Sequence, residues 1–391
     1  MEIAPVAVAE SVAELVRIPS VNTLHAGPRA EAAGPLGERA MAEHLAARFD
    51  ALGASDVVLD DAAEGRPNVY GFFPGHTDRV VVLDVHTDTV TVEHMTDPPF
   101  DGRIEDGRVW GRGALDTKAS LGVITALLDA WQQQGRRPEP TLLVVGSASE
   151  EAGGLLGASR FRPWADERGL VVDQMIVAEP TEFAPLHGHK GGMVMEVTIE
   201  GLAAHTAVPE QGRNAIDAAA PILDLLRAEH ERLLSVPPTT ELGTATLTVT
   251  GIRGGTGGNV VPAECTIGLG QRLVPGEDPR QVFDRLAAMI ADACPLPVTC
   301  TAPFGRGGEV GAPAFYQSAD TPLIRDLAAW AGTTPTVAPF GTNALRYVGF
   351  CDQIAVFGPG RIEDAHQATE SVAIADLIQL AQIFTTWLSP T

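Results

Sequence analysis

Residues 80–90 read VVVLDVHTDTV, in which a predicted buried strand runs directly into polar side chains that can bind a ligand. The mostly apolar, β-branched run at 80–85 is typical of a strand covered on both faces of a sheet. His86 and Asp88 follow it at once. In an open parallel sheet, ligands bind beyond the carboxyl ends of the strands, so the same pattern after other strands would mark one site.

The chain around this stretch alternates strands with amphipathic helical segments. Residues 117–131 carry apolar side chains at helical spacing, with Asp116 as the expected N-cap. Further strands are predicted at 141–145, 174–178 and 353–357, and a closing helix at 371–388. Strand, helix and strand in this order predict an α/β fold, with a mostly parallel sheet covered by helices on both faces.

The middle of the chain has a different order of elements. Strand patterns at 193–200, 244–252, 264–273 and near 298 are separated by helix patterns at 214–226 and 278–293. This βαββαβ order is the split ferredoxin-like unit, so we predict an inserted α+β domain. The expected organisation is a first part of the outer domain at 1–187, the insert at 188–301 and the second part at 302–391.

Composition excludes several classes of function. The chain has 391 residues, of which 45% are hydrophobic and 20% charged, as in ordinary globular proteins. Its net charge of −23 argues against binding to nucleic acid or to an anionic membrane. No charge-free apolar run approaches the ~20 residues that span a bilayer, and the first residues lack a basic segment typical of signal peptides. Four scattered cysteines indicate reduced thiols, so we expect a cytoplasmic protein.

Metal-capable side chains follow four of the predicted strands, and one more precedes the helix at 117–131. A single carboxylate in such a place is more often a cap or a surface group, and a single histidine is more often structural. Their joint placement at one sheet edge instead indicates a functional site. The positions are His86 with Asp88, Asp116, Glu150 with Glu151, Glu179, and His366.

The residue types in this set suggest two metal ions. Histidines and carboxylates without cysteine suit zinc, cobalt or manganese. The set exceeds the three protein ligands of one catalytic zinc and fits two ions that share a carboxylate. Glu150 and Glu151 would point in different directions in an extended chain, so we expect one ligand and one general base. Asp88, two residues from His86, is expected to orient the imidazole.

Short motifs throughout the chain carry a family resemblance. Together they resemble the co-catalytic zinc amidohydrolases and exopeptidases, a family that includes acetylornithine deacetylase, succinyl-diaminopimelate desuccinylase, aminoacylase and glutamate carboxypeptidase. Each motif is weak alone, but their common order from 86 to 370 is specific. The segments are HTDTV at 86–90, GRGALDTK at 111–118, SEEAGG at 149–154, AEPT at 178–181, HGHKGG at 187–192, GLAAHTAVPEQGRNAI at 201–216, NVVP at 259–262 and AHQATE at 365–370.

The resemblance implies a role for each candidate residue. One metal ion would be held by His86, Asp116 and Glu179. Asp116 would bridge to a second ion, whose other ligands would be Glu151 and His366. Zinc is favoured, with cobalt or manganese open. Glu150 would be the general base and Asp88 the residue that orients His86.

The resemblance also implies a zinc-exopeptidase-like outer domain and a homodimer formed through the inserted domain. His205 resembles the histidine that reaches a neighbouring subunit's active site to stabilise the oxyanion. Asn259 and Arg272 resemble groups that bind the substrate's carboxylate. Without the family context, His205 would be read as a loop histidine and Arg272 as a solvated strand residue.

The expected activity is hydrolysis of the amide bond of an N-acyl amino acid, as in acetylornithine deacetylase, by metal-activated water and a glutamate base. A dipeptidase, a carboxypeptidase or a desuccinylase of the same family is the alternative, and a noncatalytic metal-binding homologue is a more distant one. One departure concerns the substrate. The Gly-Thr-Glu segment usual in acetylornithine deacetylases is Gly-Thr-Asn here, with Asn343 in place of the acid.

Overall fold

The computed structural model describes residues 3–152, 154–303 and 308–389. Gly153, within the SEEAGG motif, lies outside them. The chain forms two compact units. The first comprises Met1–His187, Gln317–Thr336 and Thr342–Thr391, and the second comprises Gly188–Tyr316 and Val337–Gly341.

The elements are numbered in chain order. The helices are α1 (Pro5–Val16), α2 (Pro28–Ala33), α3 (Arg39–Ala51), α4 (Lys118–Gln133), α5 (Leu156–Glu167), α6 (Ala215–Ser235), α7 (Pro279–Ala293), α8 (Pro322–Ala331) and α9 (Ile374–Trp387). The strands are β1 (Asp56–Ala63), β2 (Arg66–Phe73), β3 (Val80–His86), β4 (Arg103–Glu105), β5 (Arg108–Trp110), β6 (Thr141–Ser147), β7 (Gln174–Val177), β8 (Leu186–His189), β9 (Gly191–Glu200), β10 (Thr246–Gly254), β11 (Glu264–Leu273), β12 (Val298–Thr301), β13 (Gly311–Ala312), β14 (Phe315–Tyr316), β15 (Thr336–Ala338), β16 (Ile354–Val356) and β17 (Ser371–Ala373).

The first unit is built on a sheet with the order β1-β2-β6-β3-β7-β16. Its central pairs are parallel: β3 with β6, β3 with β7, and β16 with β7. One face of the sheet presents Val81 and Leu83 to a core shared with α1, α4 and α9. The other face presents Tyr70, whose ring centroid lies 4.2 Å from that of Trp164 in α5. The predicted α/β class, with helices on both faces, is therefore confirmed.

Two local predictions in this unit are wrong. Asp116 does not cap α4: the helix begins at Lys118, Thr117 takes the cap position, and the Asp116 carboxylate is engaged by histidines instead. The closing helix begins later than expected, since Ser371–Ala373 is a strand paired with β5. Helical spacing of apolar residues cannot distinguish three such residues from the helix that follows them.

The second unit has the predicted βαββαβ order, formed by β9, α6, β10, β11, α7 and β12. Its sheet order is β10-β11-β9-β12, and all of these pairs are antiparallel. Alternate residues of β9, including Met195 and Val197, are buried in a core with α6 and α7. Asn214 caps α6 by accepting hydrogen bonds from the backbone N–H groups of Ile216 and Asp217. The α+β insert is thus confirmed as a fold.

Among the residues that the structure describes, no helix combines the length and the apolar character needed to cross a bilayer.

Candidate active site and metal centre

The candidate site lies where parallel strands of the first unit end. His86 is the last residue of β3, and Glu179 lies two residues after the end of β7. Glu150 and Glu151 follow the end of β6, and His366 lies in the loop after β16. Because parallel strands present their carboxyl ends at one edge of the sheet, these loops converge as expected.

The structure brings the five predicted metal ligands together in two groups. His86, Asp116 and Glu179 offer ligand atoms that all lie within 4.8 Å of one another, and so do Asp116, Glu151 and His366. Asp116 belongs to both groups: its Oδ1 lies 3.0 Å from His86 Nε2 and its Oδ2 lies 3.1 Å from His366 Nε2. A carboxylate that directs one oxygen into each group has the geometry of a bridging ligand.

The two groups differ in their access to solvent. His86 and Glu179 are buried, whereas His366 exposes 48% of its side chain. His366 Nε2 contacts Glu151 Oε2 at 3.0 Å, and its backbone has a left-handed φ of 62°. The site therefore opens on the side of His366.

Burial and mutual repulsion raise the pKa of the three glutamates of the cluster. Burial raises the pKa of Glu150 to about 8, and the nearby negative charges of Glu151 and Asp88 add to that effect. Burial, together with the charge of Asp116, raises the pKa of Glu151 to about 7. The pKa of Glu179 is raised well above its ordinary value for the same reason. So many buried carboxyl groups can ionise together only if positive charges lie beside them.

The histidines in the cluster have shifted pKa values as well. Burial lowers the pKa of His86, but hydrogen bonding to Asp116 and the surrounding carboxylates raise it well above its ordinary value. Hydrogen bonds to Asp116 and Glu151 raise the pKa of His366 to about 10. Burial opposes ionisation of Asp116, yet hydrogen bonds from the two histidines hold its pKa well below its usual range. Divalent cations would replace these protons as the positive charges of the cluster.

Asp88 contacts His86 through its backbone, and its carboxylate binds other groups than the sequence predicted. His86 Nδ1 donates to the backbone oxygen of Asp88 at 3.0 Å, while the nearest carboxylate oxygen of Asp88 lies 3.7 Å away. The carboxylate instead accepts the backbone N–H groups of Glu150 and Glu151 and the side-chain amide of Asn22. The main chain of Asp88 fixes the tautomer that leaves Nε2 free for a ligand, and its side chain holds the next loop.

Sequence reasoning missed a buried ion pair behind the ligands. Arg112 and Glu370 are both buried and bonded to each other. Glu370 Oε1 also accepts the backbone N–H groups of Leu115, at 3.0 Å, and Asp116, at 3.2 Å. Arg112 donates to the backbone oxygen of His366 at 3.4 Å. The pair joins the loops of two predicted ligands, and its only signal in the sequence was its location inside two quoted motifs.

The N-terminal segment also contributes to this site. Asn22, which donates to Asp88 at 2.7 Å, immediately precedes a 3₁₀ helix at Thr23–His25. Partial burial lowers the pKa of His25, which also feels the charges of Asp88 and His366. No pattern at the sequence level singled out these residues.

Asn343, the departure from the family pattern, lies in a buried polar cluster of the first unit. Its Nδ2 donates to Asp84 Oδ2 at 3.1 Å and to Ser147 Oγ at 2.9 Å. Tyr347 donates to the same oxygen of Asp84 at 2.9 Å. Burial raises the pKa of Asp84 to about 6 despite these hydrogen bonds. An amide at 343 avoids placing a second acid against this buried carboxyl.

The three remaining predicted residues belong to the second unit. His205 and Asn259 are neighbours there, since His205 bridges to Val260 and Thr206 N donates to Asn259 O at 3.1 Å. His205 Nδ1 accepts the backbone N–H of Ala207 at 3.0 Å, so the ring proton lies on Nε2. Arg272 is exposed on β11. His205 and Asn259 are exposed as well.

Comparison with known proteins adds the family context. A model of peptidase family M20/M25/M40 matches residues 82–389. An acetylornithine deacetylase from Myxococcus xanthus is 30% identical over 351 residues, which cover 86% of this chain and 88% of that protein. A succinyl-diaminopimelate desuccinylase from Xanthomonas oryzae pv. oryzae is 30% identical over 390 residues, with 95% and 96% covered. These matches confirm the resemblance drawn from the motifs.

A solved structure shares the fold across both units. It is the M20 family metallo-carboxypeptidase Sso-CP2 from Sulfolobus solfataricus, with a TM-score of 0.76 at 18% identity and coverage of 97% of this chain and 98% of that one.

Proposed function

The chain belongs to peptidase family M20/M25/M40 and is a metal-dependent hydrolase, and on this premise we propose that it hydrolyses the amide bond of an N-acyl amino acid. The observation that carries the proposal is the pair of ligand groups that share Asp116 beside Glu150. The acetylornithine deacetylase relative supports deacetylation of an amino acid as the first candidate reaction. The desuccinylase relative, matched over 95% of this chain, supports an N-succinyl amino acid as the second.

The donor set fits two divalent ions, with zinc favoured and cobalt or manganese as alternatives. His86, Asp116 and Glu179 would hold one ion, and Asp116, Glu151 and His366 the other. When bound, such ions supply Lewis-acid polarisation of the scissile carbonyl and lower the pKa of an attacking water.

Glu150 is the proposed general base. Its backbone N–H is bound by Asp88 Oδ1 at 3.0 Å, which fixes the residue next to the ligand Glu151. A carboxylate oxygen of Glu150 accepts a proton from the attacking water and returns it to the leaving amine. General acid–base catalysis of this kind contributes on the order of 10²–10⁴ in rate.

The second unit is proposed to bind the substrate's carboxylate and to form a homodimer. Asn259 and Arg272 would bind the carboxylate, and His205 would donate from Nε2 to the oxyanion of a neighbouring subunit's site. The edge strand β10 supports pairing with a second copy, because among the described residues it pairs with β11 alone and is exposed along most of its length. A cytoplasmic location is in keeping with the free cysteines.

A substrate panel tests the proposed function. The metal-loaded protein is incubated with N-acetyl and N-succinyl amino acids, among them N-acetylornithine and N-succinyl-diaminopimelate, and with dipeptides, and release of free amine is measured. We expect turnover of an N-acyl amino acid that disappears in Glu150→Gln. Turnover of dipeptides alone would replace the proposal with the dipeptidase alternative.

A further inference from the structure

The loop that carries the candidate base has four consecutive backbone N–H groups, those of residues 148–151, and each donates to a buried side chain. Asn68 accepts from Ala148 and Glu38 accepts from Ser149, both at 3.0 Å. Asp88 accepts from the next two residues, also at 3.0 Å. The loop that carries Glu150 and Glu151 is therefore held by acceptors from three separate segments of the first unit.

Glu38 is the acidic member of this set to which no role has yet been assigned. It occupies the N-cap position of α3, yet its side chain makes no capping hydrogen bond there. The carboxylate is fully buried and is directed at Ser149 N instead. Arg66 Nε donates to Glu38 Oε2 at 2.9 Å, and Arg66 exposes only 11% of its side chain. Arg66 thus supplies a counter-charge beside the buried carboxylate that accepts from Ser149 N.

Ser149 needs such an acceptor because its backbone is in an unfavourable conformation. Its φ is 61°, in the left-handed region that a non-glycine residue rarely adopts. A residue held there costs on the order of 1–3 kcal/mol and persists only where its surroundings fix it. A charge-assisted hydrogen bond from Ser149 N–H to the Glu38 carboxylate supplies that constraint one residue before the candidate base.

We propose that Glu38, charge-paired with Arg66, is a positioning residue that fixes the loop of Glu150 and Glu151 in its working geometry. The inference rests on the proposed function for its kinetic consequence. Displacement of a catalytic group by about 1 Å can cost on the order of 10² in rate. Loss of a side chain that orients ligands typically costs about 10–100-fold in metal affinity or activity.

The test separates positioning from stability with a double variant, Glu38→Leu with Arg66→Met. Replacing a buried ion pair with apolar residues of similar volume often leaves stability unchanged, but it also removes the acceptor for Ser149 N. We expect a melting temperature near that of the wild type and kcat lower by about 10–100-fold, with KM changed less than about threefold. In a cobalt(II) titration followed by absorption, the double variant should bind the second, more weakly held cobalt ion about tenfold less tightly than the wild type does.

Two further variants complete the test. Glu38→Gln keeps an acceptor for Ser149, so kcat should stay within about fivefold of the wild type. Glu229→Gln alters a buried acid of the second unit paired with Arg232 and Arg285, and should lower stability without changing kcat or cobalt binding. Wild-type kcat and cobalt affinity in the double variant would overturn the proposal, as would a Glu38→Gln as impaired as the double variant. The cobalt titration decides the matter even if no panel substrate is cleaved.

Discussion

Adjacent glutamates with different roles are the central feature at the scale of the residue. Glu151 Oε2 lies 3.0 Å from His366 Nε2. Within the described part of the chain, no hydrogen bond joins the Glu150 side chain to a histidine ring. Both N–H groups are bound by one carboxylate, that of Asp88, so the two side chains leave a common anchor. Glu151 thus lies beside a candidate ligand histidine, and the division of roles between the two glutamates stays a prediction.

The first prediction separates these roles by matched substitutions. Glu150→Gln should retain both metal ions and lose at least about 10²-fold in kcat, because glutamine keeps the shape but cannot accept a proton. Glu151→Gln should lose the ion shared with His366. Metal analysis and amide hydrolysis on both variants check this. If Glu150→Gln lost metal and Glu151→Gln kept it, the two assignments would have to be exchanged.

Metal binding should release protons, and more of them at low pH. At pH 6.5 the metal-free site holds protons on Glu150, whose pKa is about 8, on Glu151, at about 7, and on His366, at about 10. An ion binds Glu151 and His366 in their deprotonated forms, and its positive charge lowers the pKa of the neighbouring Glu150, so these protons are released. Above pH 8 the Glu151 proton is already gone, so fewer are released.

Calorimetric titration of the metal-free protein with zinc in buffers of different ionisation enthalpy measures this release. Proton release at pH 6.5 should exceed that at pH 8.5, and Glu151→Gln should narrow the difference. A binding heat that does not depend on the buffer would contradict the predicted protonation of the free site.

At the scale of the element, the strands that lead to the site were predictable and the contacts between its loops were not. The run at 80–85 predicted β3, and its apolar, β-branched character was sufficient because the strand is buried on both faces. Glu38 carried no signal, and Glu370 had only its place in the AHQATE motif, since a lone acid before a predicted helix resembles a surface group. Their roles depend on hydrogen bonds to loops that are distant in the chain, and local sequence periodicity does not predict such contacts.

The Arg112–Glu370 pair leads to a prediction about stability. Glu370→Gln leaves a buried guanidinium without its counter-charge and should lower the free energy of unfolding by about 3–5 kcal/mol. Asp224→Asn is the matched control, because its partner Arg227 is exposed and such a pair contributes only about 0–1 kcal/mol. Urea denaturation of the metal-loaded variants measures both. Equal midpoints would show that the buried pair does not hold the ligand loops.

At the scale of the whole molecule, the second unit provides accessible polar groups but no predicted metal ligand. His205 has the tautomer that an oxyanion donor requires, because Ala207 N–H occupies Nδ1 and leaves the proton on Nε2. The same unit presents the exposed edge strand β10. These two features are the basis of the proposal that this unit pairs with a second copy of the chain.

The last prediction is complementation between two inactive variants. His205→Ala should lose on the order of 10²–10³ in kcat, the usual effect of removing one oxyanion donor. Glu150→Gln is inactive for a different reason, the loss of its base. If His205 acts in the partner's site, a mixed dimer contains one site with intact Glu150 and an intact partner histidine. Activity should therefore return when the two proteins are mixed under conditions of subunit exchange.

The control for this experiment is a mixture of each variant with a further sample of itself, which can form no competent site. Exchange is established independently by fluorescent labels on the two populations. The regained activity should rise with the fraction of mixed dimers and reach its maximum at equal amounts. Demonstrated exchange without regained activity would mean that His205 acts within its own chain or has no catalytic role, and a monomer in solution would exclude the partner's site altogether.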